Sequence, residues 1–317
     1  MDELAHHSLG KTNNFELITL LDEVYDAING LDGNRLYLLL DKMNDFRPSL
    51  ESNKDISDIQ DIVRAHKSFA LLMQDPYSYH AFNKPRGFPG DASLIDLFYG
   101  HGAGRQTITE QGRFIFETFM RSPSCDAIRF RRGYYGAFLD RIASERSGRA
   151  QALALACGHL REALFSRAVT EDTIRIVGAD SDVLAVNEAT RSLIGRNVEI
   201  RHRSIIDFIR NRSWRETYDF IYAAGLFDYL DDRVARKVIS VAFEALNPGG
   251  SISFANFLPS IRERGYMDIV MDWRLIYRTK NDMLALTSKL PQESIASIDV
   301  WIDPLDTVVY LTATKRG

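Results

Sequence analysis

The spacing of apolar positions changes near residue 150. Before that point they recur every three or four residues: Leu17, Leu20, Leu21, Val24 and Ile28 share one helical face, and Gly30 offers a stop. Ile59, Ile62, His66, Phe69 and Met73 repeat the stripe and predict a later helix. Asp91, after Pro89-Gly90, is placed to cap the helix of "ASLIDLFY", and Ser122-Pro123 opens another in the favoured cap-then-proline order. Two prolines and two glycines in "NKPRGFPGD", 83–91, impose an irregular loop. From about 150 the apolar runs shorten, with strands predicted at 151–156, 174–179, 198–202, 218–224 and 250–256. Helices are predicted between them at 159–169, 182–194 and 231–246, an alternation that calls for a parallel sheet with right-handed crossovers. At the end, "SIDVWID" and "TVVYLTAT" are separated only by "PLD", which demands an antiparallel hairpin. The expected organisation is an all-helical domain over 1–125 and an α/β domain over 126–317.

Composition narrows the function classes. At 317 residues, 45% hydrophobic and 26% charged, the chain has room for a sizeable core and is not globally disordered. A net charge of -4 argues against a protein built to coat nucleic acid. Two cysteines, Cys125 and Cys157, supply neither a disulfide framework nor a four-thiolate zinc site. The seven histidines lack metal-ligand spacing, so no metal is expected. The start, "MDELAHHS", lacks the regions of a signal peptide, and no apolar run approaches the about 18 residues of a membrane helix. The expectation is a cytoplasmic protein without membrane insertion, and oligomeric state has no sequence signature.

Chemistry concentrates where strands meet helices. In "LALACGHLREA", 153–163, only Gly158 stands where a dinucleotide fingerprint would place three glycines. His159 and Leu160 would crowd a pyrophosphate, and no GxxxxGK[ST] loop is present. S-adenosylmethionine (SAM) carries no phosphate and asks less of such a loop. In "IRIVGADSD", Asp180 is placed to accept ribose hydroxyls; the alternative is a helix cap, which Ser181 or Asp182 could equally supply. "HRSIID" puts Ser204 and Ile205 beside an adenine, with Asp207 a helix cap. "YDFIYAAGLFDYLDD" runs from a strand into Ala223, Ala224 and Gly225, small enough for close packing, before Asp228 and Tyr229.

Residues 150 to 317 resemble a class I SAM-dependent methyltransferase, a fold with a Rossmann-like seven-stranded sheet that ends in an antiparallel hairpin. More narrowly, "KPRGFPGD", "LACGHLRE", "GLFDYL", "ANF" and "DWRLIYRT" resemble a bacterial family with a helical N-terminal extension, described as making methyl esters of 3-hydroxy fatty acids as diffusible signals. The resemblance implies SAM as cofactor, held by Ala156, Cys157, Gly158, His159, Asp180, Ser181, Ser204, Ile205, Ala224 and Gly225. Asp228 and Tyr229 would border the methyl group as the catalytic candidates.

A small-molecule acceptor is expected, bound by Arg86, Tyr135, Asn256, Tyr266, Trp273, Tyr277 and Arg278. Arg86 could equally brace its loop, and the aromatic stripe of "RGYMDIVMDWRLIYRT", 264–279, could be core. A carboxylate acceptor is already nucleophilic and needs no general base. An amine acceptor must arrive neutral, and Asp228 could hold it. The readings are therefore an ester-forming methyltransferase, an N-methyltransferase, or a non-catalytic SAM sensor. In "RFRRGYYGAF", 129–138, helical spacing spreads Arg129, Arg131 and Arg132 around the helix, which suggests a solvated face; one of them could meet the cofactor carboxylate.

Overall fold

The computed structural model describes residues 2–49, 53–101, 108–147, 149–210 and 217–317. The chain divides into two compact units, Met1–Asp126 with Ser260–Arg274, and Ala127–Pro259 with Leu275–Gly317.

The first unit is helical. Helix α1 (Asp2–Asn29) buries the Leu17 to Ile28 stripe and ends at Gly30. Asp32 then caps α2 (Gly33–Lys42) by accepting from the Arg35 amide at 3.0 Å. The stripe from Ile59 to Met73 does not form one helix. It is split into α3 (Asn53–Ala65) and α4 (Lys67–Leu72) at His66, whose backbone is extended. There Nδ1 of His66 accepts the Ser68 amide at 3.2 Å and so caps α4. A side chain able to accept from the backbone competed with helix continuation and won. Asp75 caps α5 (Pro76–Asn83), Asp91 caps α6 (Ala92–Phe98) as expected, and Thr109 caps α7 (Glu110–Met120). Lys84 at φ 48 and Gly87 at φ 91 turn the irregular "KPRGFPGD" loop. Helix α8 (Pro123–Glu145) opens after Ser122 and carries the chain into the second unit.

The second unit holds a seven-stranded sheet. Its strands are β1 (Ala150–Leu155), β2 (Ile174–Asp180), β3 (Val198–His202), β4 (Tyr218–Ala223), β5 (Leu246–Phe257), β6 (Ile295–Ile302) and β7 (Val308–Lys315). Their order is β3-β2-β1-β4-β5-β7-β6, with β1 to β5 parallel and β7 antiparallel to both neighbours. The direction of winding reverses between β1 and β4, so their carboxyl ends flank the crevice where such sheets bind ligands.

The connection predicted as a helix over 159–169 is a 3₁₀ turn, Arg161–Phe165, followed by the single turn α9 (Arg167–Thr170). Leu160, left-handed at φ 50, and Ser166, extended, prevent one continuous helix. Helices α10 (Val183–Ser192), α11 (Ile205–Arg210) and α12 (Asp232–Glu244) follow β2, β3 and β4. β5 begins at Leu246, earlier than predicted, and a register shift between Tyr218 and Phe220 absorbs Pro248-Gly249-Gly250 within the strand. One face of the sheet packs Ile221, Phe254 and Val309 against Val238 and Ile239 of α12. Against the other face, α8 stacks Phe138 on Phe220 (4.2 Å between ring centres) and Tyr135 on Tyr222 (4.8 Å). Helix α14 (Lys280–Ala285) starts at a capping box between Thr279 and Asp282.

The segment 264–279 is helical only over α13 (Arg264–Ile269), so the expected aromatic stripe does not lie on one helix. Its first part belongs to the helical unit. There a Cβ on Gly265 would stand 2.5 Å from backbone atoms of Met43 and Asn44, in the 3₁₀ stretch Met43–Ser49.

Candidate functional site

The loop after β1 takes left-handed backbone at alternate residues: Ala156 at φ 48, Gly158 at φ 54 and Leu160 at φ 50. Only one is glycine, so the other two store local strain of the kind that gathers at binding sites. Three of its amides are already engaged. Cys157 donates to the Ala179 carbonyl, Gly158 to Oδ2 of Asp180 at 2.8 Å, and Leu160 to the Cys157 carbonyl. A pyrophosphate would have to displace these bonds, which is why this loop does not suit a dinucleotide. Close packing continues behind the loop: a Cβ on Gly178 of β2 would stand 3.0 Å from Sγ of Cys157 and 2.8 Å from Ile200. Burial pushes the Cys157 thiol well up, with Asp180 and Glu162 adding to it, so it is a packing group rather than a thiolate. His159 is buried beside it.

Asp180, at the end of β2, is buried and accepts one amide on each oxygen, Gly158 on Oδ2 and Asp182 on Oδ1. Each oxygen keeps a lone pair. The cap of α10 is Asp182, through the Leu184 amide at 2.9 Å, so Asp180 is not used as that cap; Ser181 is exposed. Ser204 is more occupied than expected. Its hydroxyl donates to Asp207, whose own amide bonds back to it, closing the N-terminus of α11. Ile205 packs against the core.

At the end of β4, Ala224 and Gly225 are half-buried, and the turn Phe227–Tyr229 buries Asp228 while leaving Tyr229 exposed. Oδ1 of Asp228 accepts the Phe257 amide at 2.8 Å, and burial pushes its carboxyl up to about 6 against the opposing pull of that bond, Arg131 and Arg278.

Two further buried charged residues stand near the ends of β1 and β4: Arg131, one of the three arginines the sequence offered to a cofactor carboxylate, and Glu162, which the sequence did not single out. Arg131 does not sit on a solvated face: it is 6% exposed, and its guanidinium lies against Gly225, 3.4 Å from where a Cβ would be. It shares one face of α8 with Tyr135, Phe138 and Ile142, all buried, at spacings of four, three and four. That stripe was readable; the density of arginines around it hid it. Glu162 is buried and accepts from the Tyr222 hydroxyl at 2.8 Å; burial raises its carboxyl and Arg131 opposes the rise. Gly136 of α8 faces its carbonyl, 3.2 Å from a hypothetical Cβ.

The expected acceptor residues divide between the units. Arg86, half-buried, lies in the helical unit with Tyr266, fully buried and hydrogen-bonded to Ser78 at 2.7 Å, and with Trp273, packed near Tyr77. Tyr135 is a core residue stacked on Tyr222. Asn256 and Arg278 are buried and bonded to protein partners, and Tyr277 is half-buried. None of these lines the cavity of about 690 Å³ in the helical unit, which lies among Asp32, Tyr37, Glu117 and Arg121.

The strand order, the reversal beside β1 and the antiparallel β7 define a class I methyltransferase-type α/β fold with a helical region before the sheet. No protein-family model and no curated protein matches the sequence. Among solved structures, a possible exported protein from Bordetella parapertussis is similar over 95% of this chain and 96% of its own, with a TM-score of 0.57 and 18% identity. The N-methyltransferase NodS from Bradyrhizobium japonicum WM9, in complex with S-adenosylhomocysteine, matches 58% of this chain and 87% of its own at 0.40 and 16% identity. The 1,6-didemethyltoxoflavin-N1-methyltransferase of Burkholderia thailandensis matches 57% and 80% at 0.40 and 14%. No helix among the described residues is long and apolar enough to cross a membrane.

Proposed function

We propose that this chain is a SAM-dependent methyltransferase acting on a small molecule, with a carboxylate as the favoured acceptor and a methyl ester, as of a hydroxy fatty acid, as the product. The observation that carries the reading is the group of side chains around the β1–β4 reversal. A loop with engaged amides, the Asp180 carboxylate and the buried Arg131 suit a cofactor that has a ribose and an amino-acid carboxylate but no pyrophosphate. In this reading Asp180 accepts ribose hydroxyls, Gly158 and Gly225 admit close approach, and Arg131 pairs with the carboxylate. SAM supplies a methyl group already activated by sulfonium.

The chain's own part is alignment and exclusion of water, effects that reach about 7–11 kcal/mol for well-oriented reactants. Ester formation is favoured because one oxygen of Asp228 is tied to the Phe257 amide, which suits a wall of the site better than a base. The N-methyltransferase reading draws on the same carboxylate, ionised above about pH 6 and able to hold a nitrogen. Such a site of action belongs in the cytoplasm, where SAM is made.

Calorimetry tests the cofactor. SAM and S-adenosylhomocysteine are expected to bind and NADH not, and Asp180→Ala is expected to lose roughly 1.5–3 kcal/mol. Undiminished binding by that variant removes the ribose assignment. For the acceptor, the enzyme and methyl-labelled SAM are incubated with a bacterial extract and the product treated with mild alkali. Label released as methanol means an ester, label that survives means an N-methyl group, and no incorporation leaves a cofactor-binding sensor.

A further inference from the structure

The buried guanidinium of Arg278 has all five of its N–H donors satisfied inside the second unit. Nη1 donates to the Phe227 carbonyl and to Oδ1 of Asn256, both at 2.7 Å. Nη2 donates to the Leu230 carbonyl at 2.5 Å and to Oδ1 of Asp232 at 3.0 Å, and Nε reaches the same Asp232 oxygen at 3.2 Å. It therefore holds both ends of the turn that presents Asp228 and Tyr229.

The neighbouring backbone closes the frame. Ile276 donates its amide to the Asp228 carbonyl at 2.7 Å, and Arg278 donates its own to the Phe257 carbonyl at 3.1 Å. The Phe257 amide meets the Asp228 carboxylate at 2.8 Å. Asn256 returns two bonds, from Nδ2 to the Ile276 carbonyl at 2.8 Å and to the Phe257 carbonyl at 3.1 Å. Arg278, Asn256 and the turn thus form one hydrogen-bonded body at the carboxyl end of β5. No donor of Arg278 is left over for an acceptor molecule, which corrects the expectation that it binds substrate.

We infer that Arg278 is a positioning residue of the methyl-transfer site: it fixes the 227–230 turn on the end of β5 and thereby sets where Asp228 and Tyr229 stand. The inference rests on the methyltransferase reading for its functional half. A lysine keeps the charge but has three donors on one nitrogen, and cannot span two carbonyls, an amide oxygen and a carboxylate.

The test uses the full chain and Arg278→Lys. S-adenosylhomocysteine affinity is expected to stay within about threefold, because the β1 loop and Asp180 are untouched. Exchange of the Ile276 and Phe257 amides, which both bond Asp228, is expected to quicken by about tenfold or more, with the Cys157 and Gly158 amides unchanged. Label transfer from SAM to a bacterial extract is expected to fall about 100-fold, the scale of a displaced reacting geometry. Wild-type transfer, or unchanged exchange at Ile276 and Phe257, overturns the inference.

If the lysine variant does not fold, Asn256→Ala removes one of the five acceptor contacts and leaves four. Faster exchange at Ile276 with transfer reduced about tenfold then supports the brace, and wild-type values for both overturn it. A wild-type chain that binds no S-adenosylhomocysteine sinks the methyltransferase reading instead, while the exchange rates still decide whether Arg278 holds the turn.

Discussion

Two buried carboxylates illustrate how burial, not residue type, sets behaviour. Asp75, fully buried in the helical unit, accepts the amides of Tyr77 and Ser78 and the Ser78 hydroxyl, yet desolvation still pushes it up to about 7. Its folded pKa lies above its unfolded value near 3.8, so the folded state holds the proton more tightly. The stability this contributes is present below the unfolded value and is lost as pH rises through about 7. Urea unfolding followed by Trp273 fluorescence is expected to show the helical unit losing stability between pH 4 and 7. Asp75→Asn is expected to flatten that slope and to cost about 1 kcal/mol at pH 5, because its NH2 would face the Ser78 donors. Asp228, pushed up to about 6, lies at the site proposed for methyl transfer. There the two acceptor readings part. An N-methyltransferase is expected to show an activity profile that falls below about pH 6 and to lose that fall in Asp228→Asn, whereas an ester-forming enzyme, with Asp228 a wall of the site, is expected to show the same profile in both.

Elements in this chain are held by close backbone approach as much as by apolar stripes. Helix α13 lies so near the Met43–Ser49 stretch that Gly265 admits no side chain. Gly265→Ala is expected to cost about 1–3 kcal/mol, as overpacked cores do, read as a lower unfolding midpoint of the helical unit. The same logic applies to Gly178, whose neighbours are Ile200 and Cys157. None of this is visible in periodicity, which reports which face of a helix is buried but not how near the next backbone stands. Periodicity also overran real breaks. The stripe through His66 reads as one helix, although the imidazole caps a second one, and 159–169 reads as a helix although three left-handed residues precede or interrupt it. Each miss has one cause: a local side-chain or backbone preference competing with a pattern that averages over a turn.

At the scale of the whole chain, the boundary expected at 125 and 126 matters less than the return of the chain. Ser260–Arg274 leaves the sheet unit and belongs to the helical one, where Tyr266 meets Ser78 and Glu263 is bonded by Tyr37 and Ser124. A fragment of residues 127–317 therefore carries a buried segment without its partners, among them Tyr266, Ile269 and Trp273. It is expected to aggregate or bind hydrophobic dye. The same fragment with 260–274 replaced by a Gly/Ser linker of equal length is expected to remain soluble and retain S-adenosylhomocysteine affinity. Equal behaviour of the two fragments in light scattering would refute this division of the chain.

The strand–helix alternation, the terminal hairpin, and the caps at Asp91 and Ser122-Pro123 were all legible from residue order, as was the small-residue run Ala223-Ala224-Gly225 after β4, where the methyl-transfer site is proposed. They depend on interactions within a few residues: a period of two or three and a half, a short side chain before a helix, too few residues between two strands for a crossover. Long-range pairing decided the rest. That Arg131 is buried while Arg129 is half-exposed, that Arg278 makes five bonds to four acceptors spread from Phe227 to Asn256, and that 260–274 joins helices more than 130 residues earlier are facts of which surfaces meet. An arginine carries the same side chain whether solvated or enclosed, and only the assembled fold provides the carbonyls that make enclosure favourable.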